Sequence, residues 1–303
     1  MATVTRPEQF RKSFQIKNKV VRNTLAELAG TFLLLYIGES IEAQYFLSRQ
    51  KMNTFMHINW GWCLNIIVVV QTVAKLSGGH LNPAISLMLF TFGEINVLEL
   101  ALYCTAQITG AFFGAAATYI TYIDAINEFE GGPNLRTVVG PNSTAVVFAT
   151  YPKLFVSISG ALLNQIVSTG LLGFFVAVGI DDRNKIPKVA RPAFFGIVVA
   201  LIGHGFAWNC SYPINPARDF GPRLFTFFIY GSEVFTYPYS TWWLLPVIGP
   251  CIGAVLAGWF YHFAFGFHIP DEENTGQLKL KYIKNCGNDE KGEDYVKVIA
   301  ANK

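Results

Sequence analysis

The sequence predicts an all-α membrane protein: six transmembrane helices plus two re-entrant half-helices, arranged as an inverted repeat. Three observations predict it. The tripeptide Asn-Pro-Ala occurs twice, at Asn82-Pro83-Ala84 and Asn215-Pro216-Ala217, and each copy opens an apolar stretch too short to cross a bilayer. Six other apolar runs are long enough, since a spanning helix needs about 20 residues. The chain's two halves also echo each other, with the second tripeptide 133 residues after the first.

The spanning runs follow from composition. The chain is 52% hydrophobic and 14% charged, with a mean hydropathy of +0.35, which excludes an ordinary soluble domain. Stretches 55–74, 155–180, 193–215 and 241–267 contain no Asp, Glu, Lys or Arg. Glu27 interrupts the first run and is the one clear acid expected within a span; Glu99 sits near the start of 97–123. A net charge of +3 gives no support to a nucleic-acid partner. None of the five His lies in a cluster with other ligands or a nucleophile, so no metal, cofactor or enzyme activity is expected.

Orientation follows from the basic residues. The tail 1–23 carries Arg6, Arg11, Lys12, Lys17, Lys19 and Arg22 without an apolar block, unlike a cleaved signal, and favours a cytoplasmic N-terminus. Six spans return the tail 269–303 to the same side; its mixed charges, including 289–294, suit a solvated end. Link 181–191 holds Arg183, Lys185, Lys188 and Arg191 and is expected inside, whereas the Gly/Pro/Asn-rich link 124–153 is expected outside. Cys63, Cys104, Cys210 and Cys251 lie in or beside apolar runs and Cys286 in the tail, so no disulfide framework is expected.

Between the tails, 24–268 reads as one channel domain built from repeats at about 24–123 and 154–268. The first span of each half shares a pattern, Glu27-Leu28-Ala29-Gly30-Thr31 and Gln165-Ile166-Val167-Ser168-Thr169. The third has Gly110-Ala111 and Gly114, matched by Gly253-Ala254 and Gly258, small residues that let spans approach closely. Three spans per half make the second half enter from the opposite side, and such repeats place their site at the midplane on broken helices.

Each tripeptide has a chemistry. Proline suits the first helical position, and asparagine before it caps the orphan N–H groups of the first turn. The amide NH₂ then remains as two free donors. Half-helices at about 82–92 and 215–228, meeting N-terminus to N-terminus, bring two partial positive charges to mid-channel, a field that repels cations and protons. Water accepting from both asparagines turns its hydrogens outward and breaks a proton wire.

Ser-Gly-Gly-His-Leu-Asn-Pro-Ala (77–84) and Asn-Pro-Ala-Arg-Asp-Phe-Gly-Pro-Arg (215–223) resemble the signature loops of the aquaporin, or major intrinsic protein, family. The likeness covers about 24–268. Asp219 after the arginine, and Phe148-Ala149-Thr150-Tyr151-Pro152, are similar to the aquaglyceroporin subfamily. The resemblance implies the aquaporin fold, a homotetramer in the plasma membrane, and a passive channel for glycerol, water and small uncharged solutes such as urea. It also implies an aromatic/arginine selectivity filter, which falls by position on Trp62, Gly203, Tyr212 and Arg218. The alternatives are a water-selective member, with His204 in place of Gly203, a secondary transporter with inverted repeats, or a closed-pore junction protein.

Further residues carry narrower expectations. Glu27 and Gln165 are expected to satisfy loop groups near the half-helices, and His80 to hydrogen-bond the first loop. Asn142-Ser143-Thr144 is a glycosylation sequon in the expected outside link. Cys210, five residues before Asn215, is expected within reach of mercurials.

Overall fold

The computed structural model describes residues 5–133 and 135–270; Cys286 and the charged tail 271–303 lie outside the described residues. Helices α1 (Arg6–Phe14) and α2 (Lys19–Leu47) come first, then α3 (Phe55–Ser77), the short α4 (Pro83–Thr91) and α5 (Val97–Glu130). The second half repeats the order as α6 (Ile158–Ile180), α7 (Arg191–Cys210), α8 (Pro216–Tyr230) and α10 (Leu245–Ala264), with a turn of helix α9 (Glu233–Thr236) inserted before the last. Among the described residues, six helices are long and apolar enough to cross a membrane.

Local signals set the boundaries. Thr54 and His57 form a capping box at the start of α3, and Asn96 and Glu99 form one at α5. Gly78 and Gly131 end these helices in the left-handed conformation, at φ 94° and 87°. Nine and fifteen residues make α4 and α8 about 14 and 22 Å long, short of the ~30 Å hydrocarbon core.

Packing follows the repeat. In the first half α5 lies along α2, and in the second α10 lies along α6. A Cβ at Gly110 would meet the Leu28 carbonyl, and one at Gly253 the Ile166 carbonyl. Glycine at these matched positions allows backbone-to-backbone approach of the first and third spans of each half. Helices α3 and α7 pack on each other across the halves, and α4 lies against α10. The principal buried cluster gathers Leu34, Ile58, Val70, Leu81, Ile85, Met88, Val199 and Ile214 from both halves around the two half-helix starts. Many large apolar side chains instead point outward, among them Trp60, Ile120, Leu201, Trp208, Phe228 and Phe260, as lipid-facing helices require.

Candidate functional site

The two half-helix starts are held by a reciprocal lock. Asn82 Oδ1 accepts from Ala84 N at 2.9 Å, and Asn215 Oδ1 from Ala217 N at 2.9 Å, so both asparagines cap their helices. Asn82 Nδ2 donates to Ile214 O at 2.8 Å, and Asn215 Nδ2 donates to Leu81 O at 2.7 Å. The expectation of two free donors per amide is therefore corrected: one N–H of each binds the opposing loop, because the loops meet closely enough to exchange bonds. Leu81 and Ile214 present those carbonyls from the left-handed region, at φ 52° and 40°. Such backbone is costly for a branched residue and persists only where its surroundings hold it.

The loops are secured differently behind the lock. Glu27, fully buried, accepts from Ser77 Oγ at 2.5 Å, His80 N at 3.0 Å, Leu81 N at 2.7 Å and Gln107 Nε2 at 2.8 Å. His80 Nδ1 lies 3.1 Å from Ser86 Oγ on α4. Gln165 does not repeat this: it is equally buried, and neither side-chain polar atom has a partner among the described residues. The difference has a chemical basis. Pro213 occupies the place of His80 in the second loop and has no N–H to give. That loop is held instead by Tyr212, whose hydroxyl donates to Asn59 Oδ1 at 2.6 Å.

A cavity of about 140 Å³ runs past the locked loops, roughly ten times the ~10–15 Å³ that one water needs. Residues 78–82 and 211–215 line it together with apolar side chains, among them Ile66, Val70, Leu172, Val176 and Val199. Glu42, Trp62, Thr150, Tyr212 and Arg218 line it too, and Phe148 and Thr150 belong to the 131–157 link. Here Arg218 Nη1 donates to Phe148 O at 2.7 Å, and the guanidinium lies 5.2 Å from the Trp62 ring centroid. Gly203 is buried beside them; a Cβ there would collide with Asn59 Oδ1 and the Tyr212 ring. The structure thus brings Trp62, Tyr212 and Arg218 to one mouth of the cavity, with Gly203 packed behind the Tyr212 ring. His204, about 100° around α7 from Gly203, is exposed and does not line the cavity, with Nδ1 2.7 Å from Ala200 O.

Several residues there escaped the sequence. Glu39 and Glu42 belong to α2, which corrects the view of Glu27 as the one clear acid in a span. They lie 4.0 Å and 3.8 Å from the Arg218 guanidinium, so its charge does not stand alone. Acids inside a span are costly and signal a partner, which was the available clue. Asp219 is fully buried in an ion pair with Arg223, whose Nε and Nη2 each reach Oδ1 at 2.8 Å. Asp219 Oδ2 accepts from Thr150 N at 2.9 Å and Oγ1 at 2.5 Å, fixing the link that carries Phe148. Cys210, the last residue of α7, is buried among Ala161, Trp242 and Leu245 and does not line the cavity, so the mercurial expectation is corrected.

Two membrane-embedded half-helices locked tip to tip beside a narrow cavity define a pore protein. The family model described as Major intrinsic protein matches residues 15–261, and the chain belongs to that family. It is 40% identical over 262 residues to Aquaporin-9 of Mus musculus, covering 85% of this chain and 88% of the relative. It is 37% identical over 242 residues to Aquaglyceroporin-2 of Rhizophagus irregularis, covering 79% and 76%. The X-ray structure of the aquaglyceroporin from Plasmodium falciparum superposes with a TM-score of 0.72 at 27% identity, covering 80% of this chain and 95% of that one.

Proposed function

We propose that residues 24–268 form a passive pore for glycerol and water across the plasma membrane, with both tails cytoplasmic and four copies assembled as a homotetramer. One observation carries the solute preference: Arg218 donors and the Trp62 and Tyr212 rings line one cavity, and the missing side chain of Gly203 lets the Tyr212 ring sit back against α7. The rings give the carbon backbone an apolar wall while the guanidinium meets the hydroxyls. His204, exposed and not lining the cavity, supplies no imidazole to narrow the pore to water. Selected outward apolar side chains such as Trp208 and Phe228 suit lipid or a neighbouring copy. Asn142, exposed on the 131–157 link, suits glycosylation if that link is extracellular.

Stopped-flow scattering on proteoliposomes tests the reading. Shrinkage in hypertonic sucrose and re-swelling in glycerol should both exceed those of protein-free vesicles. Water flux without glycerol flux would make this a water-selective pore.

A further inference from the structure

Glu39 and Glu42 are carboxylates beside the guanidinium that the pore chemistry above leaves without a use. They lie three residues apart on α2, hence on neighbouring parts of one helix face. Glu42 lines the cavity, and its Oε1 accepts from Trp62 Nε1 at 3.1 Å. The same oxygen lies 3.8 Å from Arg218 Nη2, too far for a direct hydrogen bond. Arg218 Nη1 is already tied to Phe148 O. Glu39 is fully buried with no hydrogen-bond partner on either oxygen among the described residues, and its Oε1 is 4.0 Å from Arg218 Nη1.

A lone guanidinium offers a passing solute donors only. Nη2 of Arg218 and Oε1 of Glu42 instead offer a donor and an acceptor side by side on the cavity wall. A hydroxyl oxygen ~2.9 Å from the first and ~2.8 Å from the second sees them at an angle of roughly 85°, which lets one lone pair accept while the O–H donates. An ether oxygen has no proton to give and leaves the carboxylate unmet.

We propose that Glu42 is a specificity-determining residue that pairs with Arg218 to select hydroxyl-bearing solutes over ethers of equal size. Glu39 is a positioning residue: its buried carboxyl group, 4.0 Å from Arg218 Nη1, holds the guanidinium at the mouth beside Glu42. The inference rests on reading the cavity as a glycerol pore.

The test compares two isomers, propane-1,2-diol and dimethoxymethane, which has no hydroxyl, in proteoliposomes, with protein-free vesicles subtracted and glycerol flux as control. Glu42→Val should lower diol flux about tenfold, the scale of one hydrogen bond to a charged group, with ether flux changed less than twofold. Glu42→Gln, which keeps shape and a weaker acceptor, should lower the diol-to-ether ratio by about threefold and serves where the valine variant does not fold. Glu39→Gln should lower the ratio too, and Glu39→Asp should restore most of it. An unchanged ratio in Glu42→Gln, or equal losses for both isomers in Glu42→Val, overturns the inference. Wild-type protein that passes no glycerol overturns the pore reading instead.

Discussion

Asn82 and Asn215 each donate to the carbonyl that precedes the other, Asn82 Nδ2 to Ile214 O at 2.8 Å and Asn215 Nδ2 to Leu81 O at 2.7 Å. Neither half-helix start is therefore held by its own half alone. The exchange ties the two repeats at the centre and fixes the direction of each remaining amide N–H. Two residues in left-handed backbone are the cost of turning those carbonyls toward the partner.

Removing one side of that exchange should weaken the other. Asn82→Ala leaves Ile214 O and Ala84 N without their partners, at ~1–3 kcal/mol for a buried polar group left unmet. Thermal unfolding in detergent should show a clear loss for Asn82→Ala and for Asn215→Ala. The double variant should lose less than the sum, because each removes a bond that the other needs. Strict additivity would show two independent caps.

Position 203 separates space from chemistry. A Cβ at Gly203 collides with Asn59 Oδ1 and the Tyr212 ring, so Gly203→Ala must move the tyrosine into the mouth. Glycerol flux should fall several-fold more than water flux, and Gly203→His should exaggerate the difference. His204→Ala should leave both unchanged, since that side chain is exposed away from the cavity. Equal losses of water and glycerol in Gly203→His would place position 203 outside the constriction.

The buried pair behind the mouth is a stability device. Asp219→Asn would leave the fully buried Arg223 charge uncompensated, a change of ~3–5 kcal/mol when one partner of such a pair is removed. The variant should unfold at a markedly lower temperature and release the Thr150 contacts that hold Phe148 O against Arg218. A melting temperature within a degree of wild type would show that the pair is solvated.

The half-helices were legible in the sequence because Asn-Pro-Ala states a cap and a first helical residue at once, and the duplication says where the second copy lies. Spans were legible from length and missing charge. The constriction was only half so. Position supplied Arg218 and Trp62, but the contact of Arg218 with Phe148 crosses 70 residues, and the pairing of Asp219 with Thr150 crosses 69. No local pattern encodes such distances. Glu39 and Glu42 were visible as letters, yet only the helix running on to Leu47 places them inside a span. The symmetry between Glu27 and Gln165 failed because donors to Glu27 have no counterparts: Pro213 lacks the N–H that His80 gives, and Cys210 stands where Ser77 gives its hydroxyl.

Outside the spans, Asp181 gives a pH dependence of definite sign. Hydrogen bonds from the Arg183 side chain hold its carboxyl down to about 2, helped by the Tyr261 hydroxyl and the Arg183 N–H and opposed by burial. A depressed folded value stabilises above the unfolded value of about 3.9 and is lost as pH falls through about 2. Asp181→Asn should therefore cost ~1–2 kcal/mol at every pH between 5 and 8. The difference from wild type should shrink below pH 4, read by detergent melts across that range. A gap that persists at pH 2 would assign the loss to geometry rather than charge.

Charge exclusion tests the whole mouth. The half-helix starts at Asn82 and Asn215 bring partial positive charge to the centre, and Arg218 adds a full one at the constriction. Glu39 and Glu42, at 4.0 Å and 3.8 Å, offset the second but not the first. Wild-type protein should pass no measurable ionic current while solute flux continues. Arg218→Val removes the cation and leaves the Glu42 carboxylate facing a widened mouth, which attracts the ions that the arginine held off. A cation or proton leak should appear under voltage clamp, limited by the central dipoles. Adding Glu42→Val to Arg218→Val should reduce that leak severalfold, because the remaining acid, Glu39, is buried away from the cavity. Large wild-type currents would sink the account of the centre, and a leak indifferent to Glu42 would show that its carboxylate does not face the path.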